Sequence, residues 1–565
     1  MPTIYENVAG ESFKKEKKST FVSKSKILTP PIQKLLDVYV SELIASKKRY
    51  TPLFVDEMAS RLAKFYETVR KVVDWKDDNA LRRNAIERVL KRRLFSKIAG
   101  FAVRSIDPSI LAERLTLELI RGGHLPNGTI PQDRIPVLAR ALNKYLFILE
   151  QNGTSQKLVD VKDKINYATF IVEIAACEIE EILTNPVKEY GLMEAMAELL
   201  EERIDVLPAE AITQEQKRRY IFVSVYRNLY GLDDNFIIYR LLSKDNKDWE
   251  DPPKEKMISL SKSLPADWEN ISRELTDPVG RKFERIAERI DTVFLLLGDA
   301  LDELNDKPEE ITKTFEDKEK LKTMVSGVYD ARYQTLKKRL FRLAIFSTLS
   351  VFLSNWVTFY IVEVPLANLF YEGFNLISAA VDFLVPTAVM YFLVSIIRPP
   401  RETNAKKVLK ETFGFVYQDE ASAGYQIHLF RRASSLSRTV LSGLYLLVTL
   451  LVFWGIAYIF YFARLPLTSV IFDTFTIALT VFAAVGIANK ARELSVEEHA
   501  GAKDFFLDSV SVPIAKVGSF LAAKWKEYNI VAIFFTFIIE TPLAFILNFV
   551  QDWSEYIKER RSEVR

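Results

Sequence analysis

The sequence is poor in reactive side chains: one cysteine and three histidines in 565 residues. A single thiol, Cys177, excludes an intrachain disulfide. His124, His428 and His499 are too scattered to form a Cys/His set with zinc spacing. No cofactor or metal centre is therefore expected. Glycine is scarce too, at 19, which argues against sheet folds turning on tight glycines and against Gly-rich phosphate loops. "RGGHLPNG" (121–128) lacks the spacing of a P-loop or a dinucleotide fingerprint. It reads as a helix end followed by a turn. There is no Gly-x-Ser-x-Gly, no His-Glu-x-x-His and no kinase set. Cys177 sits between Ala176 and Glu178 on an apolar helical face, which suits packing better than nucleophilic attack. These absences together make an enzyme an unexpected outcome.

What is present is a division. The formal net charge is only +3, but residues 1–339 are charge-rich and residues 340–550 hold nearly all the long apolar runs. About 20 apolar residues cross a bilayer as a helix. Five stretches approach that length, near 343–370, 374–397, 440–462, 467–488 and 530–550. The fold expected is all-α: a large cytoplasmic helical domain followed by a polytopic α-helical membrane domain of about five spans.

The flanking charges set the orientation. Lys337, Lys338, Arg339 and Arg342 precede the first stretch, and basic residues fill 398–439 and 489–529. The opposite loops hold almost none. Basic loops stay on the cytoplasmic side, so the N-terminal domain is expected in the cytoplasm and the chain in the cell membrane. The first 26 residues are polar and basic, read as a disordered tail without the apolar core of a signal peptide. Residues 551–565 form a charged tail. The last stretch is ambiguous. A full crossing places its basic tail outside; a hairpin turning at Glu540-Thr541-Pro542 returns it. The full crossing is the favoured expectation.

Residues 27–304 read as helices with clear punctuation. In "IDPSILAERLTLELIRGGH", Asp107 can cap, Pro108 suits the first helical position and Gly122 can end the helix. "TDPVGRKFERI" offers Asp277 and Pro278 for the same roles. No run alternates as a strand does. A linker is expected near 243–256, dividing two candidate subdomains, with 305–342 as a connecting helix into the first span.

Two features carry functional hypotheses. "LRRNAIERVLKRRLFSK" places Arg82, Arg83, Arg88, Lys91, Arg92 and Arg93 on one helix. Such a face can hold anionic lipid or a protein partner, or pair with the acidic helical region that contains Glu173, Glu178 and Glu180. The near-balanced charge of the domain counts against nucleic acid. The second feature is a set of acids inside apolar stretches: Glu363, Asp382, Asp473 and Glu540. A carboxylate at bilayer depth costs roughly 2.5–3.5 kcal/mol, so it faces the bundle interior, a partner or water. No Lys, Arg or His lies deep in any stretch. Pro365, Pro386 and Pro542 each remove a backbone donor beside one of these acids and free a carbonyl one turn earlier. The acids then either bind a cation or proton, or hold protons that cap the broken helices. Two functions follow. The first is a membrane-anchored scaffold whose cytoplasmic domain binds an unknown protein partner. The alternative is an oligomeric channel or transporter for H⁺ or a metal cation, since five spans are few for one chain.

Overall fold

The computed structural model describes residues 27–46, 51–54, 78–99, 106–153, 161–370, 376–400, 402–420, 424–429, 435–463, 465–496 and 511–523. The fold is all-α but for one short ladder. The N-terminal part runs α1 (Pro30–Ser46), α2 (Asp78–Ala99), α3 (Pro108–Arg121), α4 (Arg134–Gly153), α5 (Val161–Thr184) and α6 (Val187–Arg203). A strand, β1 (Ile204–Leu207), intervenes before α7 (Gln214–Leu229), α8 (Asp234–Asp245), α9 (Lys254–Leu275), α10 (Gly280–Glu303) and α11 (Pro308–Glu316). The apolar half comprises α12 (Lys318–Thr358), α13 (Val364–Phe370), α14 (Leu376–Ile396), α16 (Ser435–Phe462), α17 (Leu467–Ala491) and α18 (Ser511–Ala523). Between α14 and α16 lie α15 (Glu402–Val416) and β2 (Tyr425–His428).

Local chemistry accounts for several boundaries. Asp107 accepts the Ser109 N–H at 2.8 Å, with Pro108 in the first turn of α3. Thr213 and Gln216 form a reciprocal capping box at the start of α7. Asp277 accepts the Val279 N–H at 2.9 Å and the Tyr220 hydroxyl at 2.7 Å, so α10 starts only at Gly280. Asp317 accepts the N–H groups of Glu319 and Lys320 and starts α12 there. The connecting segment is thus two helices, α11 and α12, rather than one. At 41 residues, α12 is about 60 Å long. It carries the chain from the helical domain into the apolar half without a break.

Among the described residues, three helices are long and apolar enough to cross a membrane, fewer than the five stretches expected; they lie within Lys318–Leu366, Ser442–Phe462 and Ser469–Ala491. The described apolar part of the second stretch, Ala380–Ile396, is shorter. The stretch at 530–550 lies outside the described residues, as do the tails 1–26 and 551–565. The apolar helices expose large side chains outward, among them Phe346, Leu450, Trp454 and Phe462, as lipid-facing helices do.

Three further expectations change. First, strands are present. β1 pairs with β2 in parallel, from Ile204 with Tyr425 to Leu207 with His428. Second, the proposed linkers are packed. Trp249, in the middle of 243–256, is buried, and Asn305 accepts the Tyr39 hydroxyl. Third, neither loop between apolar helices is a simple loop. Within 398–439, α15 and β2 belong to the helical domain: Thr29 N–H bonds Val416 O at 2.9 Å, and the Thr29 hydroxyl bonds Phe415 O at 2.9 Å. Within 489–529, α18 sits on α17, where Ile514 and Ala515 share a core with Ala478 and Val481. Pairwise sequence periodicity cannot foresee these contacts because they join separate segments, from tens to hundreds of residues apart.

One hydrophobic core runs from Ile32 and Leu36, through Phe294, Val325 and Phe415, to Val394, Ile487 and Leu494 at the near ends of α14 and α17. The two halves are therefore joined by packing as well as by α12. At this junction the Thr292 hydroxyl donates to Glu493 O at 3.0 Å. Burial pushes the neighbouring Asp291 carboxyl up from 3.8 to about 7. A raised carboxyl pKa favours folding when protonated, so this stabilisation is present below about pH 4 and lost as pH rises through 7. Asp291→Asn is therefore expected to raise the melting temperature at pH 8, with the gain vanishing towards pH 4.

The α17–α18 contact depends on a missing side chain. A Cβ at Gly518 would lie 2.2 Å from Ala478 O and 2.7 Å from Phe482 Cβ. Backbone cannot yield there as a flexible side-chain tip can. Gly518→Ala is expected to destabilise by about 1–3 kcal/mol, the usual range for overpacking, read as a lower melting temperature of detergent-purified protein.

Candidate functional site

Three of the four acids in the apolar stretches meet. Glu363, Asp382 and Asp473 are each 3% exposed, although they come from three different helical segments. Ser469 Oγ donates to Glu363 Oε2 at 2.5 Å. The Asp382 carboxyl lies within hydrogen-bonding reach of Glu363, Asp473 and Ser469. Ser469 and Asp473 are one turn apart on α17, so they share a face. The fourth acid, Glu540, and Pro542 lie outside the described residues.

The backbone around Glu363 departs from α-helix. Phe359–Glu363 form a π-turn in which Val364 N–H reaches back to Phe359 O. Pro365 follows directly and has no N–H to give. Single π-turns inside α-helices concentrate at functional positions. Pro386 is buried inside α14, four residues after Asp382. Its missing donor leaves the Asp382 carbonyl without the usual partner. Pro365 itself is exposed, so it shapes the helix without entering the cluster.

The cluster carries a proton requirement. Asp382 Oδ1 and Asp473 Oδ2 are buried and have no donor. Two carboxyl groups that approach each other can hydrogen-bond only if one holds a proton. No basic side chain forms an ion pair with these acids among the described residues. Nor does any group of three or more His, Cys, Asp or Glu among those residues have a geometry able to hold a metal ion.

Two further polar groups were not singled out by sequence. Asn355 Nδ2 and Thr480 Oγ1 are buried without a partner. Both lie on the side of the cluster that faces the helical domain, Asn355 about 12 Å along α12 from Glu363 and Thr480 about 10 Å along α17 from Asp473. Ser469 was also missed. The available signal was spacing: Ser469, Asp473 and Thr480 follow a four- and seven-residue rhythm on α17.

The basic face behaves differently. Arg82 lies 3.7 Å from Glu180, and Arg83 pairs with Asp233. Lys91 lies 2.5 Å from Glu87 and 3.5 Å from Glu173. Glu118 of α3 takes both Arg92 and Arg93, the latter at 2.7 Å. Arg88 is half-buried and also engaged. These charges hold α2 to α3, α5 and the start of α8. Acids on the neighbouring helices thus pair with much of this face, while Arg92 stays largely exposed.

A second buried polar network lies in the helical domain. Lys144 Nζ is 2.8 Å from both carboxylate oxygens of Glu178 and donates to Trp249 O at 2.6 Å. The Tyr145 hydroxyl and Trp249 Nε1 also donate to Glu178 Oε2, at 2.5 and 2.9 Å. Burial lowers the Lys144 pKa while Glu178 opposes the shift. Each donor here has an acceptor, so the network reads as a structural pin for α4, α5 and the Trp249 segment. Cys177 is fully buried next to it, and burial pushes its thiol pKa well up; a thiol so placed is inert.

Comparison with known proteins returns no matching family, no curated relative and no solved structure of similar fold. The functional reading therefore stands on geometry.

Proposed function

We propose that this chain is a multi-pass protein of the cell membrane, with its helical domain in the cytoplasm, that moves protons through the Glu363–Asp382–Asp473 cluster. The convergence of three buried acids with unsatisfied oxygens is the observation that carries this reading. Intramembrane carboxyls mark proton relays when they face a bundle interior. The orphaned Asn355 and Thr480 support a polar route from the cluster towards the cytoplasm, since buried unsatisfied groups call for water. The orientation follows from basic residues beside α12 and in 398–439 and 489–529.

A proton is favoured over a metal cation because the acids touch one another and present no ligand set. The scaffold reading draws on the size of the helical domain. It also draws on the absence of catalytic motifs and on the small number of apolar stretches. Along α16 the residues of Ser442–Phe462 are almost all exposed or half-buried, which leaves an apolar face for lipid or for a second copy of the chain.

The deciding experiment is proton flux into sealed liposomes holding the purified full chain, driven by an imposed pH gradient and read with an entrapped pH dye. Flux above that of protein-free liposomes is expected. Flux equal to the protein-free control removes the transport reading and returns the scaffold to first place.

A further inference from the structure

An apolar groove of about 620 Å³ opens between α12 and α14, with Ile487 of α17 at its floor. It starts at Lys337 and ends at Phe352, passing Phe341, Ala344 and, across the groove, Tyr391. That is roughly 22 Å of helix length. One leaflet of a bilayer, headgroup included, is about 20–22 Å thick. The groove therefore has the length of one lipid molecule standing in the cytoplasmic leaflet.

Its two ends differ in chemistry. Towards Phe352 the lining is apolar apart from Thr348 and Thr387. At the shallow end Lys337 lines the groove itself, and Lys338, Arg342 and Arg398 stand beside it on the same helices or their ends. All four are exposed, and none forms an ion pair among the described residues. Their neighbours are treated otherwise: Arg339 is held by Glu493 at 2.8 Å, and Arg332 by Asp299 at 2.7 Å. The fold thus neutralises the cations that face the helical domain and leaves uncompensated those at the mouth of the groove.

We infer that this groove is a binding site for one anionic phospholipid, its acyl chain along α12 and its phosphate against Lys337, Lys338, Arg342 and Arg398. The site lies where α12 leaves the helical domain, so its occupant bridges α12 and α14, the two helices that carry Glu363 and Asp382. The inference rests on the membrane reading and is independent of proton movement.

The test uses the full chain in phosphatidylcholine vesicles doped with a photoactivatable phosphatidylglycerol, or with the matching phosphatidylcholine probe. Crosslinked residues are mapped by peptide mass spectrometry. A cation near an anionic headgroup is worth about fivefold in occupancy. Phosphatidylglycerol is expected to label Phe341, Phe352 and Tyr391 at least about tenfold more than phosphatidylcholine. Lys337→Gln/Lys338→Gln/Arg398→Gln should abolish that preference, while Ala344→Phe should reduce labelling by both probes by filling the groove. Excess inorganic phosphate should not compete. Equal labelling by the two probes, or a preference that survives the triple variant, overturns the site. Competition by phosphate also overturns it, in favour of a free anion. A chain that fails to enter vesicles at all removes the membrane reading beneath it.

Discussion

Asp473→Asn is expected to lower proton flux by about a hundredfold, the scale on which a positioned proton-transfer group contributes, without lowering the melting temperature below that of the wild type. The second half of this expectation is what separates transport from structure. An asparagine at 473 puts an N–H₂ group in place of one carboxylate oxygen, from which it can donate to Asp382 Oδ1, a buried oxygen that has no donor. If the acids serve only to cap broken helices, the amide replaces a protonated carboxyl and nothing measurable changes. If they relay protons, a group that cannot titrate stops the relay. Glu363→Gln is the companion variant. Its amide oxygen still accepts from Ser469 Oγ, now at 2.5 Å from Glu363 Oε2, so the π-turn keeps its anchor while the proton is lost. Liposome flux and thermal melting of the same preparations check both variants. Unchanged flux in both would remove the cluster from any transport role.

Glu178→Ala destabilises the helical domain by about 3–5 kcal/mol, the range for stripping one partner from a buried ion pair. Lys144 is 1% exposed, and its ammonium would keep only the Trp249 carbonyl and the faces of Trp249 and Tyr145, at 4.6 and 5.0 Å. The Tyr145 hydroxyl and Trp249 Nε1 lose their shared acceptor at the same time. Lys144→Met on its own removes the lone cation but leaves Glu178 two donors. The double variant Glu178→Leu/Lys144→Met regains part of the loss, because no charge stays buried, yet the tyrosine and indole groups remain unpaired. Denaturation of the full chain followed by tryptophan fluorescence reads these differences. A loss below about 1 kcal/mol for Glu178→Ala would mean that water reaches the network.

The two buried networks differ in a way that bears on their roles. Around Glu178 each charge has an opposite charge and each donor an acceptor. Around Asp473 three like groups meet and leave oxygens and an amide unsatisfied. A satisfied network rigidifies; an unsatisfied one in an apolar bundle is the kind that exchanges protons or water. The position of the cluster strengthens the contrast. It joins α12, α14 and α17, and α12 continues unbroken into the helical domain, where β1 pairs with β2 and α15 packs against α10. The cluster is thus connected by continuous packing to the helical domain.

Much of this was legible in the residues. Asp107 before Pro108 signalled the start of α3 because a carboxylate that accepts N–H bonds and a residue with no N–H belong at a helix start. The exclusion of an intrachain disulfide followed from counting one cysteine. The acids were conspicuous because charge inside an apolar run is expensive wherever the run ends up. Helical class and the division into a polar and an apolar half also came from local composition, since propensity and hydropathy are properties of neighbouring residues.

Tertiary structure alone decided what those residues meet. Local pattern placed Glu363, Asp382 and Asp473 in separate segments; only packing of α12, α14 and α17 brought them into one cluster and added Ser469. The same packing drew much of the basic helix into internal ion pairs, because the acids it meets lie on α3, on α5 and before α8. It drew Trp249 out of an apparent linker and seated α18 on α17 through Gly518. Each of these is a contact between residues far apart in the chain. Their free energy depends on distance and burial in three dimensions, and a one-dimensional pattern carries neither.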